Sequence, residues 1–148
     1  MAVVRKAKVT WEGDLLTGKG NLSTATSAAF SGLPVTWGSR TEAADGRTSP
    51  EELIAAAHAS CFSMALSAGL GKTGTPPTRL DVEATVTFDK GDSGWRILSS
   101  FLRVVGTVPG IDSEKFSEAA NAAKDGCPVS QAIKGNVDLN VDAILEVV

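Results

Sequence analysis

The sequence has few of the residues that usually hold metals or build structural disulfides: its 148 residues contain two cysteines and one histidine. These are too few for a zinc site, so we expect neither a metal nor a metal-dependent reaction. The chain also lacks an excess of positive charge, because its formal net charge is −3. A nucleic-acid partner or a footprint on an anionic membrane is therefore not expected.

A long apolar segment is also missing behind the N-terminal residues Met1 to Lys6, so the sequence predicts no signal peptide. The expected location is the cytoplasm, where thiols stay reduced and paired cysteines are more often reactive than structural. There is no internal repeat and no low-complexity segment. A chain of this length predicts one domain, residues 1–148, that is large enough for its own core.

The stretch from Thr48 to Leu70 organises the rest of the predicted fold. Its first five residues, Thr48 to Glu52, supply a hydroxyl residue for the N-cap, a proline for the first helical position and two carboxylates for the first turn. No charged residue follows before Lys72, and apolar residues lie on nearly every face. Alanine and serine dominate the run and flanking basic residues are scarce, which argues against a membrane span. We predict a helix that is buried on all sides in a soluble core.

Alternating and turn-rich segments surround this helix and predict an antiparallel sheet. A polar loop is predicted at Gly38–Ser49, and two shorter helices at Glu114–Lys124 and Val129–Lys134. The predicted strands are Ala7–Trp11, Lys19–Thr24, Gly32–Trp37, Leu80–Phe88, Trp95–Val108 and Val137–Val147.

The fold class that follows is α+β, with antiparallel sheets packed around a long central apolar helix. One sheet and one small helix cannot cover every apolar side of that central helix. Its many small residues permit another helix to approach closely. We therefore expect a second copy of the chain to cover the remaining face, in a homodimer.

The two cysteines have different predicted surroundings. Cys127 stands at the N-cap before Pro128, where backbone N–H groups and the helix dipole lower the pKa of a thiol. Cys61 lies in the middle of the central helix, where apolar surroundings raise the pKa and favour an inert core residue. His58 precedes Cys61 by one turn and could act as its base, although a lone histidine on a buried helix is more often a hydrogen-bonded core residue.

Six segments occur together in an order and at spacings that are specific to one known family. They are Trp11-Glu12-Gly13, Arg40 in the polar loop, Ser49 to Leu53, His58 to Leu66, Val108 to Asp112 and Gly126 to Ser130. Over nearly the whole chain they resemble the OsmC/Ohr family of osmotically inducible and organic hydroperoxide resistance proteins. The first segment and the run that begins at His58 resemble the osmotically inducible branch.

The resemblance implies a thiol-dependent peroxidase that works as an intertwined homodimer without a metal or an organic cofactor. It implies that Cys61 is the peroxidatic cysteine and Cys127 the resolving cysteine. Arg40 and Glu51 would form the ion pair that keeps Cys61 as a thiolate. The substrate would be an organic hydroperoxide, with hydrogen peroxide a weaker one. A dithiol reductant of the lipoyl type would reopen the Cys61–Cys127 disulfide. His58 has no role in this scheme and is left as a structural residue.

Two other functions stay open at this stage. One is a redox sensor that signals through the Cys61–Cys127 disulfide with little turnover. The other is a protein whose apolar cavity binds a small molecule, with both cysteines incidental. Steady-state consumption of a peroxide with a dithiol distinguishes the peroxidase from both.

Helix geometry adds one expectation that does not depend on the resemblance. Glu51 and Cys61 are ten residues apart, so about 15 Å of helix rise separates them. Both side chains lean toward the N-terminus, which preserves that gap. We therefore expect Glu51 of one subunit to serve Cys61 of the other, while Arg40 could act within its own chain or across the dimer.

Overall fold

The structure is a computed structural model that describes residues 1–147, and the chain divides into two compact units, residues 1–53 and the residues from 54 onward. The predicted α+β class is confirmed. The elements in chain order are β1 Ala7–Glu12, β2 Lys19–Thr24, β3 Leu33–Val35, α1 Trp37–Thr41, α2 Pro50–Lys72, β4 Arg79–Gly91, β5 Gly94–Thr107, α3 Ser113–Gly126, α4 Pro128–Ile133 and β6 Asp138–Leu145.

The first unit is built on an antiparallel sheet of three strands in the order β1-β2-β3. The connection from β1 to β2 is closed by Asp14, whose carboxylate accepts hydrogen bonds from the backbone N–H groups of Leu16 and Thr17. A hydrogen bond from the Thr17 hydroxyl, together with these two, lowers the pKa of Asp14. The antiparallel pairing of β1 with β2 confirms the predicted first and second strands.

The segment Gly38–Ser49 is not entirely the loop that its composition predicts, because the short helix α1 extends into it. Thr36 is the N-cap of α1, and its hydroxyl accepts a hydrogen bond from the Ser39 N–H at 3.0 Å. The Ser39 hydroxyl in turn accepts one from the Thr36 N–H at 3.0 Å. This reciprocal capping box satisfies two backbone donors at once and starts a helix where composition favours a loop.

The second unit contains a sheet of order β4-β5-β6. β4 and β5 form the predicted antiparallel hairpin, which closes with Gly91 opposite Gly94. The last strand differs from the prediction, because β6 pairs with β5 in parallel. The chain returns to the sheet through α3 and α4, and a helical crossover of this length allows the parallel direction.

One face of α2 packs into the core of this second unit. His58, Phe62, Leu66 and Leu70 follow one another at intervals of four residues and are fully buried. The last three belong to an apolar cluster with side chains from β5 and α3, such as Leu102, Val104, Phe116 and Ala120. The β5 position beneath the Phe116 ring must be glycine, because a Cβ at Gly106 would lie 2.4 Å from the ring carbon Cζ.

The opposite face of α2 is exposed, so the prediction of a helix buried on all sides is wrong for a single chain. Ala57, Ser60, Met64 and Ala68 mark this face, and Met64 is 68% exposed. By length and mean hydropathy, 1.5, α2 could also cross a membrane. A helix that packs one face into a folded core meets the same criterion without a membrane, and small residues on its other face leave room for a close partner.

Candidate active site

Arg40 and Glu51 form a bidentate ion pair within one chain. Arg40 lies in α1, and Glu51 in the first turn of α2, where Ser49 caps the Glu52 N–H. The Arg40 Nε lies 3.0 and 3.2 Å from the two carboxylate oxygens of Glu51, and Nη2 lies 2.8 Å from Oε1. The Glu51 side chain is 8% exposed and that of Arg40 is 30% exposed. A planar, partly buried pair of this kind fixes the guanidinium in one orientation.

Trp37 also holds the Arg40 guanidinium, whose Cζ lies 5.8 Å from the centre of a Trp37 ring. This distance is within the range of a cation–π contact. Sequence reasoning missed Trp37 because it assigned this residue to a strand. Once the Thr36 cap is recognised, Trp37 and Arg40 are three residues apart on a helix, and that spacing is the signal that identifies the contact.

Cys61 and Cys127 are brought together in the second unit. Cys61 packs against the apolar cluster that contains Cys127, close enough for each thiol to shift the pKa of the other, and the Val129 backbone N–H lowers the pKa of Cys61. The N-terminus of α4 therefore lies against the middle of α2. Both thiols are free, Cys61 half-buried and Cys127 fully buried. The four residues implied by the resemblance thus form two pairs, Arg40 with Glu51 and Cys61 with Cys127.

The two neighbouring thiols have pKa values shifted in opposite directions. Burial raises the pKa of Cys61, and the neighbouring Cys127 raises it further, against a lowering by the Val129 N–H. Burial also acts to raise the pKa of Cys127, but the hydroxyl and backbone N–H of Ser130, together with Cys61 and the Val129 N–H, outweigh it and hold the pKa below its usual value. Both directions agree with the sequence analysis, including the N-cap position of Cys127.

His58 is a buried hydrogen-bonded residue and does not act as the partner of Cys61. Its Nδ1 lies 2.6 Å from the hydroxyl of Ser100 on β5, and its Nε2 lies 2.8 Å from the hydroxyl of Ser130 on α4. The interpretation of His58 as a core histidine is confirmed. Its imidazole nevertheless connects, through Ser130, to the second cysteine, whose sulfur lies 3.3 Å from the Ser130 hydroxyl.

Sequence reasoning missed both serines, although each leaves a signal. Ser130 is three residues after the N-cap Cys127, the spacing at which an N-cap side chain accepts a backbone N–H. Ser100 occupies the same inward-facing row of β5 as the buried Leu102 and Val104. A serine in an apolar row predicts a buried hydrogen-bond partner.

Metal-binding clusters are absent from the described residues 1–147, where no group of three or more histidine, cysteine or acidic side chains lies close enough to hold an ion. Two open clefts of about 530 and 380 Å³ carry mixed polar and apolar linings, and neither is lined by a cysteine.

Comparison with known proteins gives consistent results. The family model described as OsmC-like protein matches residues 43–142. Peroxiredoxin OsmC of Escherichia coli (strain K12) is 45% identical over 140 residues, which cover 95% of this chain and 96% of that protein. Organic hydroperoxide resistance protein OhrB of Bacillus subtilis is 35% identical over 97 residues, which cover 64% of this chain and 68% of OhrB.

The solved structures give the same result for the fold. The crystal structure of Bacillus subtilis OhrB superposes with a TM-score of 0.73 and 29% identity, covering 93% of this chain and 97% of the other. An organic hydroperoxide resistance protein from Elizabethkingia anophelis reaches a TM-score of 0.78 at 21% identity, over 99% and 100% of the two chains. With matches across nearly its whole length in both sequence and fold, the chain belongs to the OsmC/Ohr family.

Proposed function

We propose that this protein is a cysteine-based peroxidase that reduces organic hydroperoxides to alcohols and hydrogen peroxide more weakly. The observation that carries the proposal is the contact between two free thiols whose pKa values are shifted in opposite directions. The names of the relatives, peroxiredoxin and organic hydroperoxide resistance protein, support a peroxidase-type function. The expected setting is the cytoplasm, where a dithiol can recycle the enzyme.

The first step is the oxidation of Cys61. Its thiolate attacks the terminal oxygen of the hydroperoxide, the O–O bond breaks, and the alkoxide takes up a proton and leaves as an alcohol. The sulfur keeps the oxygen and becomes a sulfenic acid. The raised pKa of Cys61 opposes this step, because a thiolate and not a thiol is the nucleophile.

Arg40 is the permanent cation that we assign to the Cys61 thiolate, with Glu51 holding its guanidinium in place. The bidentate geometry of the pair supports this assignment, because one fixed guanidinium can stabilise a thiolate better than a mobile one. Ten residues of helix α2 separate Glu51 from the Cys61 of its own chain, which is about 15 Å of helix rise. Because Arg40 and Glu51 are paired within one chain, we propose that both come together from the partner subunit.

The exposed face of α2 supports the homodimer that this arrangement requires. Small side chains at Ala57, Ser60 and Ala68 permit close contact between helices, and the exposed Met64 supplies apolar area to bury. Two copies of α2 packed antiparallel would bring each Glu51 toward the partner's Cys61. Close packing of two helices that each belong to a separate core corresponds to the intertwined dimer implied by the resemblance.

The second step regenerates the enzyme. The Cys127 thiolate attacks the sulfenic sulfur of Cys61, the S–O bond breaks, and hydroxide leaves and is protonated to water. An external dithiol of the lipoyl type then opens the Cys61–Cys127 disulfide by thiol–disulfide exchange. The lowered pKa of Cys127 supports its role as the attacking thiol, because more of it is present as thiolate at neutral pH.

The test is removal of cumene hydroperoxide in the presence of dihydrolipoamide or dithiothreitol, with wild type compared to Cys61→Ser. Sustained turnover by wild type and none by Cys61→Ser is the expected result, and equal rates would overturn the proposal. A redox sensor would form the intrachain disulfide with one equivalent of peroxide but would show little turnover. A binding protein would consume no peroxide. Mass spectrometry under non-reducing conditions distinguishes these two outcomes.

A further inference from the structure

A continuous chain of hydrogen bonds runs through the second unit and ends at Cys127. It begins at Ser100, whose hydroxyl lies 2.6 Å from His58 Nδ1, and continues from His58 Nε2 to the Ser130 hydroxyl over 2.8 Å. From Ser130 the hydroxyl reaches Cys127 Sγ at 3.3 Å, and the Ser130 backbone N–H donates to the same sulfur at 3.3 Å. Four residues from α2, β5 and α4 therefore form one relay.

This relay is buried along its whole length, with His58, Ser100 and Cys127 at 0% exposure and Ser130 at 1%. Every buried side-chain polar atom among the described residues has a partner, so no bond of the relay is missing. A fully satisfied polar network in an apolar core holds its members in one geometry. Apolar side chains could fill the same volume without any desolvation of polar groups, so packing alone does not account for the network.

We propose that His58 is a positioning residue and proton acceptor for Cys127, acting through the Ser130 hydroxyl, with Ser100 fixing the tautomer of its ring. This inference rests on the proposed function, in which Cys127 is the resolving thiol. It assigns a role to the histidine that the peroxidase scheme leaves without one. It also explains why a serine occupies an inward-facing position on β5.

The protons balance as follows. In the resting state, His58 Nδ1–H donates to the Ser100 oxygen, Nε2 accepts the Ser130 O–H, and the Ser130 oxygen accepts the Cys127 S–H. The Cys127 proton moves to Ser130 as the Ser130 proton moves to Nε2, which leaves a thiolate and an imidazolium. The thiolate attacks the Cys61 sulfenic sulfur and releases hydroxide. The hydroxide takes the proton back from the imidazolium and becomes water, and His58 is neutral again.

The surroundings of His58 suit a proton acceptor. Burial lowers the pKa of His58, so the resting ring is neutral at neutral pH and Nε2 has a free lone pair. The same burial disfavours the imidazolium, so His58 holds the proton only transiently, while the Cys127 thiolate balances its charge. The groups that face the relay are His58 and Cys61 from α2, Ser100 from β5, and Ser130 with the N-cap Cys127 from α4. Of these groups, only the histidine and the two thiols titrate. The Cys127 thiol is therefore governed by Ser130, by the neighbouring Cys61 and, through Ser130, by His58.

The first experiment measures the pKa of Cys127 directly and needs no peroxide. In a Cys61→Ser background, Cys127 is titrated by thiolate absorbance in the ultraviolet and by the pH dependence of its alkylation. Ser130→Ala removes the hydroxyl and keeps the backbone N–H, and we expect it to raise the Cys127 pKa by about 1 unit. Ser130→Thr, which retains a hydroxyl, should restore the lower value. Ser63→Ala, in which a serine outside the relay is lost, is the matched control.

The second experiment separates the two chemical steps by rapid mixing with one equivalent of cumene hydroperoxide. Oxidation of Cys61 should be no slower than in wild type in Ser130→Ala and His58→Gln, because a less ionised Cys127 does not oppose the Cys61 thiolate, whereas closure of the disulfide should slow by about 10-fold to 100-fold. The closure rate in both variants should also rise more steeply toward high pH, because an unassisted thiol must lose its proton to solvent. A purely structural role would slow both steps together and leave the pH profile in place.

The outcomes decide between the two proposals separately. An unchanged Cys127 pKa in Ser130→Ala, or closure at the wild-type rate in Ser130→Ala across the pH range, overturns the relay. If wild-type Cys61 is not oxidised at all, the proposed function is wrong, and the Cys127 titration still decides whether the relay exists. If His58→Gln fails to fold, Ser100→Ala is used in its place. Without the Ser100 hydroxyl, His58 Nδ1 loses its partner and the ring is no longer held in one tautomer, so closure of the disulfide should again be slower.

Discussion

The surroundings of the two neighbouring cysteines differ in one decisive respect. Cys127 is hydrogen-bonded to both the hydroxyl and the backbone N–H of Ser130, and its pKa is lowered although it is fully buried. Cys61, although less buried, has a raised pKa, because burial and the adjacent Cys127 outweigh the Val129 N–H. The second unit by itself therefore favours a thiolate at Cys127, the proposed resolving cysteine, whereas Cys61, the proposed peroxidatic cysteine, needs a further cation to lower its pKa.

This difference fits the separate tasks that we propose for the two thiols. A resolving thiol attacks only after oxidation of its neighbour, so it can be prepared by local hydrogen bonds and kept buried. The peroxidatic thiol must be both reactive and accessible to a substrate, and a cation that arrives with a partner subunit meets both needs. In the proposed enzyme the reactivity of Cys61 is then linked to assembly, whereas that of Cys127 is linked to folding of the second unit.

The largest expected effect comes from removing one thiol at a time. Cys61→Ser should abolish turnover completely, because the other thiol, Cys127, is fully buried and out of reach of the peroxide. Cys127→Ser should still react once and then stop, because the sulfenic acid on Cys61 has no thiol to resolve it. Dimedone labelling followed by mass spectrometry should find a trapped sulfenic acid in Cys127→Ser alone. Full activity in Cys61→Ser would contradict the roles assigned to both thiols.

The next largest effect should come from the arginine–glutamate pair. Arg40→Met removes the cation, so the Cys61 pKa rises and the thiolate fraction at pH 7 falls by about 10-fold to 1,000-fold. Because thiolate forms as pH increases through the pKa, the variant's rate of peroxide reduction should keep increasing to a higher pH than that of wild type. Arg47→Met is the matched control, since Arg47 pairs with the exposed Asp45 and should leave the profile unchanged. Identical profiles for both variants would show that Arg40 does not govern Cys61.

Assembly should control Cys61 through the exposed face of α2. Met64→Lys places a charge on the apolar face that the dimer would bury, so the dimer should weaken. Sedimentation velocity should detect monomers, and peroxidase activity per chain should fall on dilution and recover at high protein concentration. The Cys127 pKa should not change. The control is Leu16→Lys, which changes an exposed apolar residue outside α2. If the activity of Met64→Lys does not depend on protein concentration, catalysis does not require the dimer.

Subunit mixing tests whether one site is shared between two chains. Cys61→Ser and Glu51→Ala homodimers should each be nearly inactive. When they are unfolded and refolded together, random exchange makes half of the dimers mixed, each with one complete site, so about a quarter of wild-type activity should return. A mixture that stays inactive despite exchange confirmed by native mass spectrometry would place the ion pair and the thiol of one site in the same chain.

Local features of the site could be predicted from the sequence. The start of α2 follows from Ser49, Pro50 and the two glutamates, and the N-cap of α4 follows from Cys127 before Pro128. Both depend on interactions within one helical turn, which composition and spacing encode directly. The opposite pKa directions of the two thiols follow from the same local rules, since one thiol is at a helix N-terminus and the other is in the middle of a helix.

Features that depend on distant segments could not be predicted in this way. The partners of His58 are 42 and 72 residues away, so no local pattern connects Ser100 and Ser130 to it. The parallel pairing of β6 with β5 likewise depends on how α3 and α4 return the chain to the sheet. The sequence predicts more burial of α2 than a single chain provides, because apolar residues lie on both its core face and its outer face. Composition alone does not distinguish a helix covered by its own chain from one covered by a second copy.

The smallest expected effect is on stability: serine should be more stable than alanine at position 127, and alanine more stable than serine at position 61. Cys127 Sγ accepts the Ser130 N–H as the N-cap of α4, and a serine oxygen can take over that bond whereas alanine cannot. Cys127→Ser should therefore unfold at a higher urea concentration than Cys127→Ala, and its free energy of unfolding should be larger by about 1 kcal/mol. Cys61 lies in the interior of α2, where alanine is a better helix former than serine. The free energy of unfolding of Cys61→Ala should therefore be larger than that of Cys61→Ser, by about 0.5 kcal/mol. Urea titrations of the four reduced variants measure both differences. If serine and alanine rank in the same order at both positions, the sulfur of Cys127 does not act as a cap, and its lowered pKa must come from its other neighbours, the Ser130 hydroxyl first and then Cys61 and the Val129 N–H.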